Sequence, residues 1–168
     1  LDRVLRELDK IKIKSNLLIV DDGSRDASPR TVLGLMKKYP KLRFVKHSIN
    51  KGYGHTIKTG IKYGIKNNFT YGLFMDSDLT NNPQDIIKFA DLIRYGYDCV
   101  KGSRYIKGGK ASGVPFKRVL MSRVGNIIAS FIFGIGVKDC TNGFRMIKLE
   151  KFRKIKLKEK GFAVIMEE

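Results

Sequence analysis

Cysteine and long apolar runs are both scarce in this chain of 168 residues. The two cysteines, Cys99 and Cys140, stand far apart, with no Cys-x-x-Cys and no Cys/His spacing. The sequence therefore predicts no zinc site and favours a reducing compartment. The longest apolar stretch, residues 124–137, is shorter than the roughly 20 residues that a membrane-spanning helix needs. No membrane span is predicted.

Acidic residues are also few, which leaves a strong positive charge. Lys and Arg number 34 against 16 Asp and Glu, giving a net charge of +18 and a pI near 10.0. Such a surface attracts nucleic acid, anionic lipid headgroups or phosphorylated substrates. The alternative is a solvated, lysine-rich surface of the kind found in heat-adapted proteins. A nucleic-acid-binding module is not favoured, because no RNP-like, KH or helix-turn-helix pattern occurs, and we expect no nucleic-acid partner.

Apolar strands and amphipathic helices alternate along the chain. Helices are predicted over residues 1–11, 28–39, 53–68 and 82–96, and strands over 16–22, 42–47, 70–76, 97–103 and, from its apolar pattern, 161–168. Ser28 is predicted as the N-cap of the second helix, with Pro29 in its first turn. This alternation predicts a single α/β domain over residues 1–168, a Rossmann-type sandwich with a mostly parallel sheet. Because the chain opens on a helix and closes on an apolar run, we expect its first strand to be missing and the chain to be truncated N-terminally and possibly C-terminally.

Two acidic motifs follow predicted strands, "VDDGSRD" at 20–26 and "MDSDLT" at 75–80. In open α/β sheets, ligands bind at the carboxyl ends of the strands. Asp76 and Asp78 are two positions apart, so in an extended segment their side chains point to the same side. Two carboxylates at such a short separation repel each other and need a cation between them. Oxygen ligands suit Mg²⁺ or Mn²⁺, which is the expected cofactor.

The stretch "LFMDSDLT" also fits the signature of haloacid-dehalogenase-like phosphatases, in which the first aspartate is a nucleophile and the second a general acid. Such phosphatases use a later pair of adjacent aspartates for magnesium. The only adjacent pair here, Asp21 and Asp22, precedes the Asp-x-Asp motif. That motif also follows a late strand. The order of the motifs argues against this alternative.

Five segments together resemble family 2 glycosyltransferases with the GT-A fold: "LLIVDDGSRDAS", "NKGYGHTIKTGIKYG", "FMDSDLTNNPQDI", "GSRY" and "GFR". Within that family, "GSRY…FKRVLMSRVGN…DCTNGFR" looks most like the polyprenyl-phosphate sugar synthases of the dolichyl-phosphate mannose synthase type. The resemblance runs from about residue 17 to residue 168. The family's opening strand, with its Pro-x-x-Asn-Glu type motif, is expected to precede this chain.

The resemblance implies a metal-dependent, inverting glycosyltransferase. The donor would be a nucleotide-diphosphate sugar of the GDP-mannose or UDP-glucose type, and the acceptor a polyprenyl or dolichyl phosphate. The enzyme would work at the cytoplasmic face of a membrane, as a peripheral protein or tethered by segments absent from this chain. The alternative within the family is a transferase that acts on a non-lipid glycan.

The resemblance also implies roles for individual residues. The metal would be held by Asp76, Asp78 and Thr80. Thr80 stands where the lipid-phosphate branch commonly has Gln, which puts metal affinity and geometry in question. The nucleotide-binding residues would be Asp21, Asp22, Gly23, Lys51, Gly52 and Asp76, with Asp21 and Asp22 lining the pocket for the base and ribose.

The acceptor phosphate would be gripped by Arg104, Arg118 and Ser122, and Arg104 and Arg118 join the two aspartates of the Asp-x-Asp motif as the expected catalytic residues. A lipid phosphate is already anionic at neutral pH and needs no general base. It needs guanidinium groups, which bind phosphate bidentately. The glycine-rich loop 106–116, with Gly108, Gly109 and Gly113, is expected to be a mobile lid over the acceptor.

Two further segments bear on a membrane. Residues 124–137 are interpreted either as a buried core helix or as a segment that meets the membrane or the lipid tail. Residues 151–160, "KFRKIKLKEK", carry six basic residues and one acid, so we expect them to dock on an anionic membrane surface. The two histidines, His47 and His55, receive no role.

Overall fold

The structure is a computed structural model, and it describes residues 2–10, 14–76, 80–109, 115–134 and 136–168. Its helices are α1 (Asp2–Lys10), α2 (Ser28–Lys38), α3 (Tyr53–Lys66), α4 (Asp85–Leu92), α5 (Phe116–Phe133) and the short α6 (Val164–Glu167). Its strands are β1 (Leu17–Asp21), β2 (Leu42–Lys46), β3 (Tyr71–Phe74), β4 (Cys99–Lys101) and β5 (Arg145–Lys148). Two 3₁₀ segments cover Ile93–Tyr95 and Leu149–Arg153. The predicted α/β class is confirmed.

The described strands form two groups. β1 and β2 pair in parallel, from Leu17 opposite Leu42 to Asp21 opposite Lys46. β5 lies between β3 and β4 and runs antiparallel to both, so β3 and β4 are parallel to each other. Arg145, the first residue of β5, therefore sits at the carboxyl ends of β3 and β4. Helix α3 contacts both β1 and β3, so the strand ends that carry the two acidic motifs flank the same helix.

The C-terminal apolar run was predicted as a strand, and that prediction is wrong. Residues 161–163 form a turn, and α6 follows. Val164 and Ile165 are buried in a cluster with Ile57 and Ile61 of α3. Apolar character here marks burial, and seven or eight residues are too few for periodicity to separate a buried helical turn from a buried strand.

The start of α2 also differs from the prediction. The N-cap position is Ala27 and Ser28 is already helical, so the predicted Ser28 cap is wrong, whereas Pro29 lies in the first turn as expected. The Ser28 backbone N–H donates to Asp26 Oδ1 at 2.9 Å. That hydrogen bond is the main cause that lowers the pKa of Asp26. A carboxylate one residue before the cap thus satisfies one of the open N–H groups of the helix.

The core lies on both sides of the central strands. Helix α1 buries Val4, Leu5 and Leu8 against Ile86 of α4, with partly buried apolar residues of β1 and β3 beside them. On the other side, α3 and the C-terminal segment bury the cluster that includes Ile147 of β5. Polar loops follow the carboxyl ends of the strands, and they are described next.

Candidate active site

Asp22 joins three segments at the end of β1. Its Oδ1 accepts a hydrogen bond from the Lys51 backbone N–H at 2.9 Å, and its Oδ2 accepts one from the Gly52 N–H at 2.7 Å. The Oδ1 also lies 2.6 Å from Nδ1 of the buried His47, which follows β2. We call this set of contacts the Asp22 clasp. It ties the loop after β1 to the loop before α3.

The clasp keeps Asp22 ionised. Burial alone would raise the pKa of Asp22, but the hydrogen bonds from His47, Lys51 and Gly52 together lower it below its usual value. An ionised carboxylate only accepts hydrogen bonds, so Nδ1 of His47 carries the proton. The other ring nitrogen, Nε2, lies 2.9 Å from the hydroxyl of Thr59 on α3. His47, to which the sequence assigned no role, is therefore the inner support of the clasp.

Two glycines allow these loops to approach closely. Gly23 has φ +80°, and a Cβ there would lie 2.7 Å from the backbone nitrogen of Asn50. Gly52 has φ +91°, and its Cβ would lie 2.9 Å from the Lys160 carbonyl oxygen. Side chains other than glycine avoid both the conformation and the clash. The predicted nucleotide-binding residues Asp22, Gly23, Lys51 and Gly52 are thus brought together.

Asp21 has a different environment from its neighbour. Its Oδ1 accepts a hydrogen bond from the Ser24 N–H at 2.7 Å, which closes the turn after β1. Its Oδ2 is buried and has no hydrogen-bond partner among the described residues. A buried acceptor without a partner is costly. Of the two aspartates predicted to line the base and ribose pocket, Asp21 is the one with acceptor capacity still available.

Asp76 lies beside Gly143 and Tyr53, at the end of β3. A Cβ on Gly143 would be 3.4 Å from Asp76 Oδ2 and 3.2 Å from the Tyr53 hydroxyl oxygen. Burial raises the pKa of Tyr53, the Arg145 charge opposes the rise, and the Asp76 carboxylate adds to it. The absence of a side chain at Gly143 leaves a gap lined by a carboxylate and a hydroxyl. Such hard oxygen donors fit Mg²⁺ or Mn²⁺.

The rest of the predicted metal set is only partly described. Asp78 lies outside the described residues, and Thr80 is exposed. Within the ranges that the structure describes, no group of three or more His, Cys, Asp and Glu side chains is placed to hold a metal ion. Asp76 is the carboxylate of the predicted set whose surroundings the structure describes.

A buried ion pair lies next to this gap. Arg145 is 1% exposed, and both its Nε and Nη2 donate to the carboxylate of Glu168. Its Nη1 donates to the Gly143 carbonyl at 2.8 Å, and its guanidinium lies 4.9 Å from the centre of the Phe74 ring. Burial alone would lower the pKa of Arg145, but its contacts with Glu168 raise it. The pair ties the end of the C-terminal segment to β5 and so to Gly143.

The predicted acceptor residue Arg104 is held by a buried carboxylate. Its Nε and Nη2 each donate to Asp139 at 2.8 Å, and its backbone N–H donates to the same side chain at 3.1 Å. Asp139 is fully buried, whereas the Arg104 side chain is 32% exposed. The hydrogen bonds to Asp139 raise the pKa of Arg104. One edge of the guanidinium is thus fixed, and the other points away from Asp139.

Ser122 on α5 belongs to the same polar network. Its Oγ accepts a hydrogen bond from the Tyr105 hydroxyl at 2.7 Å. Asn126, one turn later, donates to the Ser122 carbonyl at 2.8 Å and accepts from the Cys140 N–H at 2.6 Å. These bonds dock α5 onto the segment that contains Asp139. Ser122 is therefore linked to Tyr105, the residue that follows Arg104.

Arg104 lines a pocket of about 400 Å³ together with Tyr105, Ile106, Val119 and Arg123. Arg118, the other predicted clamp, is exposed and is not among these lining residues. On an α-helix, positions 118 and 123 lie about 140° apart around the axis. Among the described residues, the arginine of α5 that faces this pocket is Arg123. The predicted lid lies only partly within the described residues, because 110–114, including Gly113, fall outside them.

Helix α5 carries a broad apolar surface. Among the described residues, only Asn126 of this helix is buried, so the interpretation of 124–137 as a buried core helix is wrong. The apolar face of α5 is defined by its exposed large side chains: Phe116, Leu120, Met121, Val124, Ile127, Ile128, Phe131, Ile132 and Phe133. In the part of the chain that the structure describes, no helix is long and apolar enough to cross a membrane. The helix ends at Gly134 in the left-handed conformation.

The basic segment 151–160 is mostly exposed. Phe152 anchors its start in the core. Its end is held where the Gly54 N–H donates to the Lys160 carbonyl at 2.7 Å and where Tyr53 stacks on Phe162 at 4.5 Å between ring centres. The segment therefore begins in the core and ends beside the first turn of α3.

Sequence reasoning missed Asp139, Asn126 and Arg123. Asp139 is an isolated acid in a chain with few acids, and Asn126 is a lone amide in an apolar stretch. Both are signals for a buried polar role, because an unpaired polar group in an apolar setting is costly. Arg123 carries no comparable signal, because the chain contains many basic residues. What distinguishes it from its neighbours is the side of α5 on which it lies, which is the side that faces Arg104.

The sequence profile described as "Glycosyl transferase family 2" matches residues 1–156. The chain is 31% identical over 143 residues to the polyprenol monophosphomannose synthase of Mycolicibacterium smegmatis, covering 84% of this chain and 54% of that protein. It is 34% identical over 155 residues to the dolichol-phosphate mannosyltransferase of Pyrococcus furiosus, covering 90% and 42%. It is 27% identical over 158 residues to the undecaprenyl-phosphate mannosyltransferase of Micrococcus luteus, covering 91% and 65%. The chain spans about half the length of these curated relatives.

Proposed function

The chain belongs to glycosyl transferase family 2, and on that premise we propose that it transfers a sugar, with inversion, from a nucleotide-diphosphate sugar to a polyprenyl phosphate. The names of all three relatives combine mannose with a polyprenol, dolichol or undecaprenyl phosphate. These names favour a mannose donor of the GDP-mannose type over one of the UDP-glucose type. The reaction requires a donor site, a phosphate site and access to a lipid.

One observation carries the proposal: a basic pocket of about 400 Å³ and a large exposed apolar face occur on the same helix. Val119 and Arg123 of α5 line the pocket with Arg104, and the remaining large side chains of α5 form its apolar face. A polyprenyl phosphate is an anion attached to a long apolar chain. A soluble glycan would have no use for this apolar surface.

At the donor end, we assign the base and ribose to Asp21 and the loops that the Asp22 clasp joins. Asp76, with Asp78 and Thr80, would hold Mg²⁺ or Mn²⁺. The ion would stabilise the negative charge that develops on the diphosphate as it leaves. The gap beside Gly143, bordered by Asp76 and Tyr53, supports this assignment for Asp76.

At the acceptor end, Arg104, Arg118 and Ser122 would hold the lipid phosphate. An oxygen of that phosphate attacks the anomeric carbon and forms the new C–O bond. The bond from that carbon to the diphosphate oxygen breaks, and the nucleoside diphosphate leaves with the electron pair. The attacking oxygen is already anionic, so no proton has to be removed. The buried Asp139 fixes Arg104 for this role, and the Tyr105 hydrogen bond fixes Ser122.

The membrane contact would be made by the apolar face of α5 and the basic segment 151–160. A helix of this kind lies in the interface with its apolar side among the lipids. Basic residues near an anionic surface contribute about 1 kcal/mol each. We therefore place the protein at the cytoplasmic face of a membrane, bound peripherally or through segments outside this chain.

Replacing Asp76 with Asn tests the metal assignment. Asp76→Asn should abolish metal-stimulated transfer, because an amide is a poor ligand for a hard dication, while the melting temperature stays close to that of the native protein. The assay follows labelled sugar from GDP-mannose, or from UDP-glucose in a parallel arm, into polyprenyl phosphate with Mg²⁺ or Mn²⁺. Asp91→Asn, which changes an exposed carboxylate of α4, is the matched control and should leave the rate unchanged. Near-native rates for Asp76→Asn would remove Asp76 from the metal site.

A further inference from the structure

We propose that Arg123 is a cation of the acceptor-phosphate pocket, facing Arg104 and acting in addition to the predicted Arg118. This inference rests on the proposed function, because it names the acceptor phosphate as the ligand of the pocket. It adds a residue that the family resemblance did not supply. The pocket of about 400 Å³ is lined by both arginines, by Tyr105 and by the aliphatic side chains of Ile106 and Val119.

Arg104 alone cannot balance the charge of a phosphate monoester. Its Nε and Nη2 are occupied by the buried carboxylate of Asp139, and Nη2 also donates to Thr141 at 3.1 Å. Among the described residues, no hydrogen bond uses Nη1 of Arg104, so we assign this nitrogen to a ligand. The positive charge of Arg104 is largely neutralised by Asp139, so the pair presents directed donors with little net charge. A phosphate with a charge of about −1.5 to −2 at neutral pH needs a further cation in the pocket.

Arg123 is the cation available there. It lies one turn after Val119 on α5, and both line the same pocket. Among the residues that the structure describes, no carboxylate forms an ion pair with Arg123. Its charge therefore remains for a ligand, unlike that of Arg104. Guanidinium groups bind phosphate oxygens through paired hydrogen bonds.

The aliphatic residues that line the pocket indicate how a bound lipid phosphate would be oriented. Ile106 and Val119 border it together with the two arginines, and Leu120 and Val124, the next large side chains of α5, are exposed on the apolar face. A phosphate held between the arginines would place the first carbons of its prenyl chain against aliphatic side chains. The pocket thus fits a phosphate monoester with an apolar substituent.

The test compares the acceptor kinetics of the native protein with those of the Arg123→Ala variant. The acceptor is a short, water-soluble prenyl phosphate, so that changes in membrane binding do not enter. The lost charge-assisted bonds should lower kcat/KM for the acceptor about tenfold to a hundredfold, with the KM for the sugar donor unchanged. Arg123→Lys should recover part of the loss, since an ammonium keeps the charge without the planar fork. Arg94→Ala, which removes an exposed arginine outside the pocket, is the matched control and should have no effect.

The possible outcomes distinguish a failure of the Arg123 proposal from a failure of the proposed function. If the native protein transfers sugar to the prenyl phosphate and Arg123→Ala has native kinetics, Arg123 is not in the acceptor site, while the proposed function stands. If the native protein transfers nothing to prenyl phosphates, the proposed function fails, and calorimetric binding of the same compound decides on Arg123. Binding that weakens in Arg123→Ala but not in Arg94→Ala supports the pocket. Binding that is absent, or equal in all variants, overturns it.

Discussion

Asp21 and Asp22 are adjacent in sequence and differ in what their carboxylates contact. Both oxygens of Asp22 are occupied by the clasp, whereas Asp21 keeps one buried oxygen without a partner among the described residues. The sequence assigned the two residues the same task. In the structure, the carboxylate of Asp22 holds the neighbouring loops together. We propose that Asp21 makes the contact with the base or the ribose.

Asp22→Asn should destabilise the protein by about 1–3 kcal/mol, because the amide loses charge-assisted bonds and turns a donor toward a backbone N–H. Urea unfolding at neutral pH measures the loss. Asp21→Asn is the matched control one position away. Asp21→Asn should lower the free energy of unfolding less than Asp22→Asn does, because it removes the charge from a buried carboxylate oxygen without a partner. It should weaken nucleotide binding more than Asp22→Asn does. Equal stability losses in the two variants would contradict the division of tasks.

The pH dependence of the Asp22 effect follows from the sign of its pKa shift. In the folded protein, the pKa of Asp22 lies below the ordinary aspartate value of 3.8. The stabilisation by ionised Asp22 is therefore fully present above pH 3.8 and is lost as the pH falls through the lowered, folded-state pKa. The stability difference between native protein and Asp22→Asn should narrow over that acid range. A difference that widens there would contradict an ionised clasp.

At the scale of elements, α5 differs from the other helices because its large apolar side chains are exposed. Phe131, near its C-terminal end, is 87% exposed. The polar contacts of Ser122 and Asn126 dock the opposite side of the helix. A helix that is attached through polar residues and exposes apolar ones needs an apolar partner in solution or in a membrane.

Phe131→Asn should weaken binding to lipid vesicles about tenfold or more, because a buried Phe side chain contributes about 1.5–3 kcal/mol. Its effect on protein stability should stay within about 0.5 kcal/mol, since the side chain is exposed in the fold. Vesicle co-sedimentation and thermal melting measure the two quantities. Leu33→Asn replaces an exposed apolar residue of α2 and is the matched control. An equal loss of vesicle binding in both variants would show that no specific face is involved.

The sequence predicted most elements because their patterns are local. The first four helices and first four strands follow from apolar periodicity, Gly and Pro positions, and length. Strand β5 was not predicted, because "RMIK" is four residues long and begins with Arg145, a buried charged residue that pairs with Glu168. That partner is 23 positions away, so no local pattern reveals it.

The same limit applied to the candidate site. The Asp-x-Asp spacing and the "DDGS" turn are local signals, and the sequence assigned Asp76, Arg104 and Ser122 to a site without the structure. Asp139 is 35 positions from Arg104, and His47 is 25 positions from Asp22. Such partners are set by tertiary packing. Which arginine of α5 faces the pocket depends on the phase of the helix against a loop, which periodicity alone does not give.

At the scale of the whole molecule, charge and packing support the proposal of one domain that acts on an anionic surface. Helix α1 shares an apolar cluster with residues of α4, β1 and β3, and we propose that residues 1–168 belong to one catalytic domain. The net charge of +18 attracts anionic membranes over the Debye length, about 8 Å at physiological salt. Exposed basic residues of segment 151–160 add to this attraction. We propose that the charge brings the protein to the membrane and that the apolar face of α5 holds it there.

The most direct test of the central claim compares two acceptors of equal chain length, a polyprenyl phosphate and the corresponding polyprenol. The native protein is supplied with GDP-mannose and Mg²⁺ or Mn²⁺, and sugar transfer is measured to each. We predict transfer to the phosphate and none to the alcohol, because the proposed guanidinium groups would bind an anion, whereas an alcohol would also need a base to remove its proton. Transfer to the alcohol, or to a soluble glycan, at a rate equal to that for the phosphate would contradict the account. It would leave a family 2 transferase with a different acceptor.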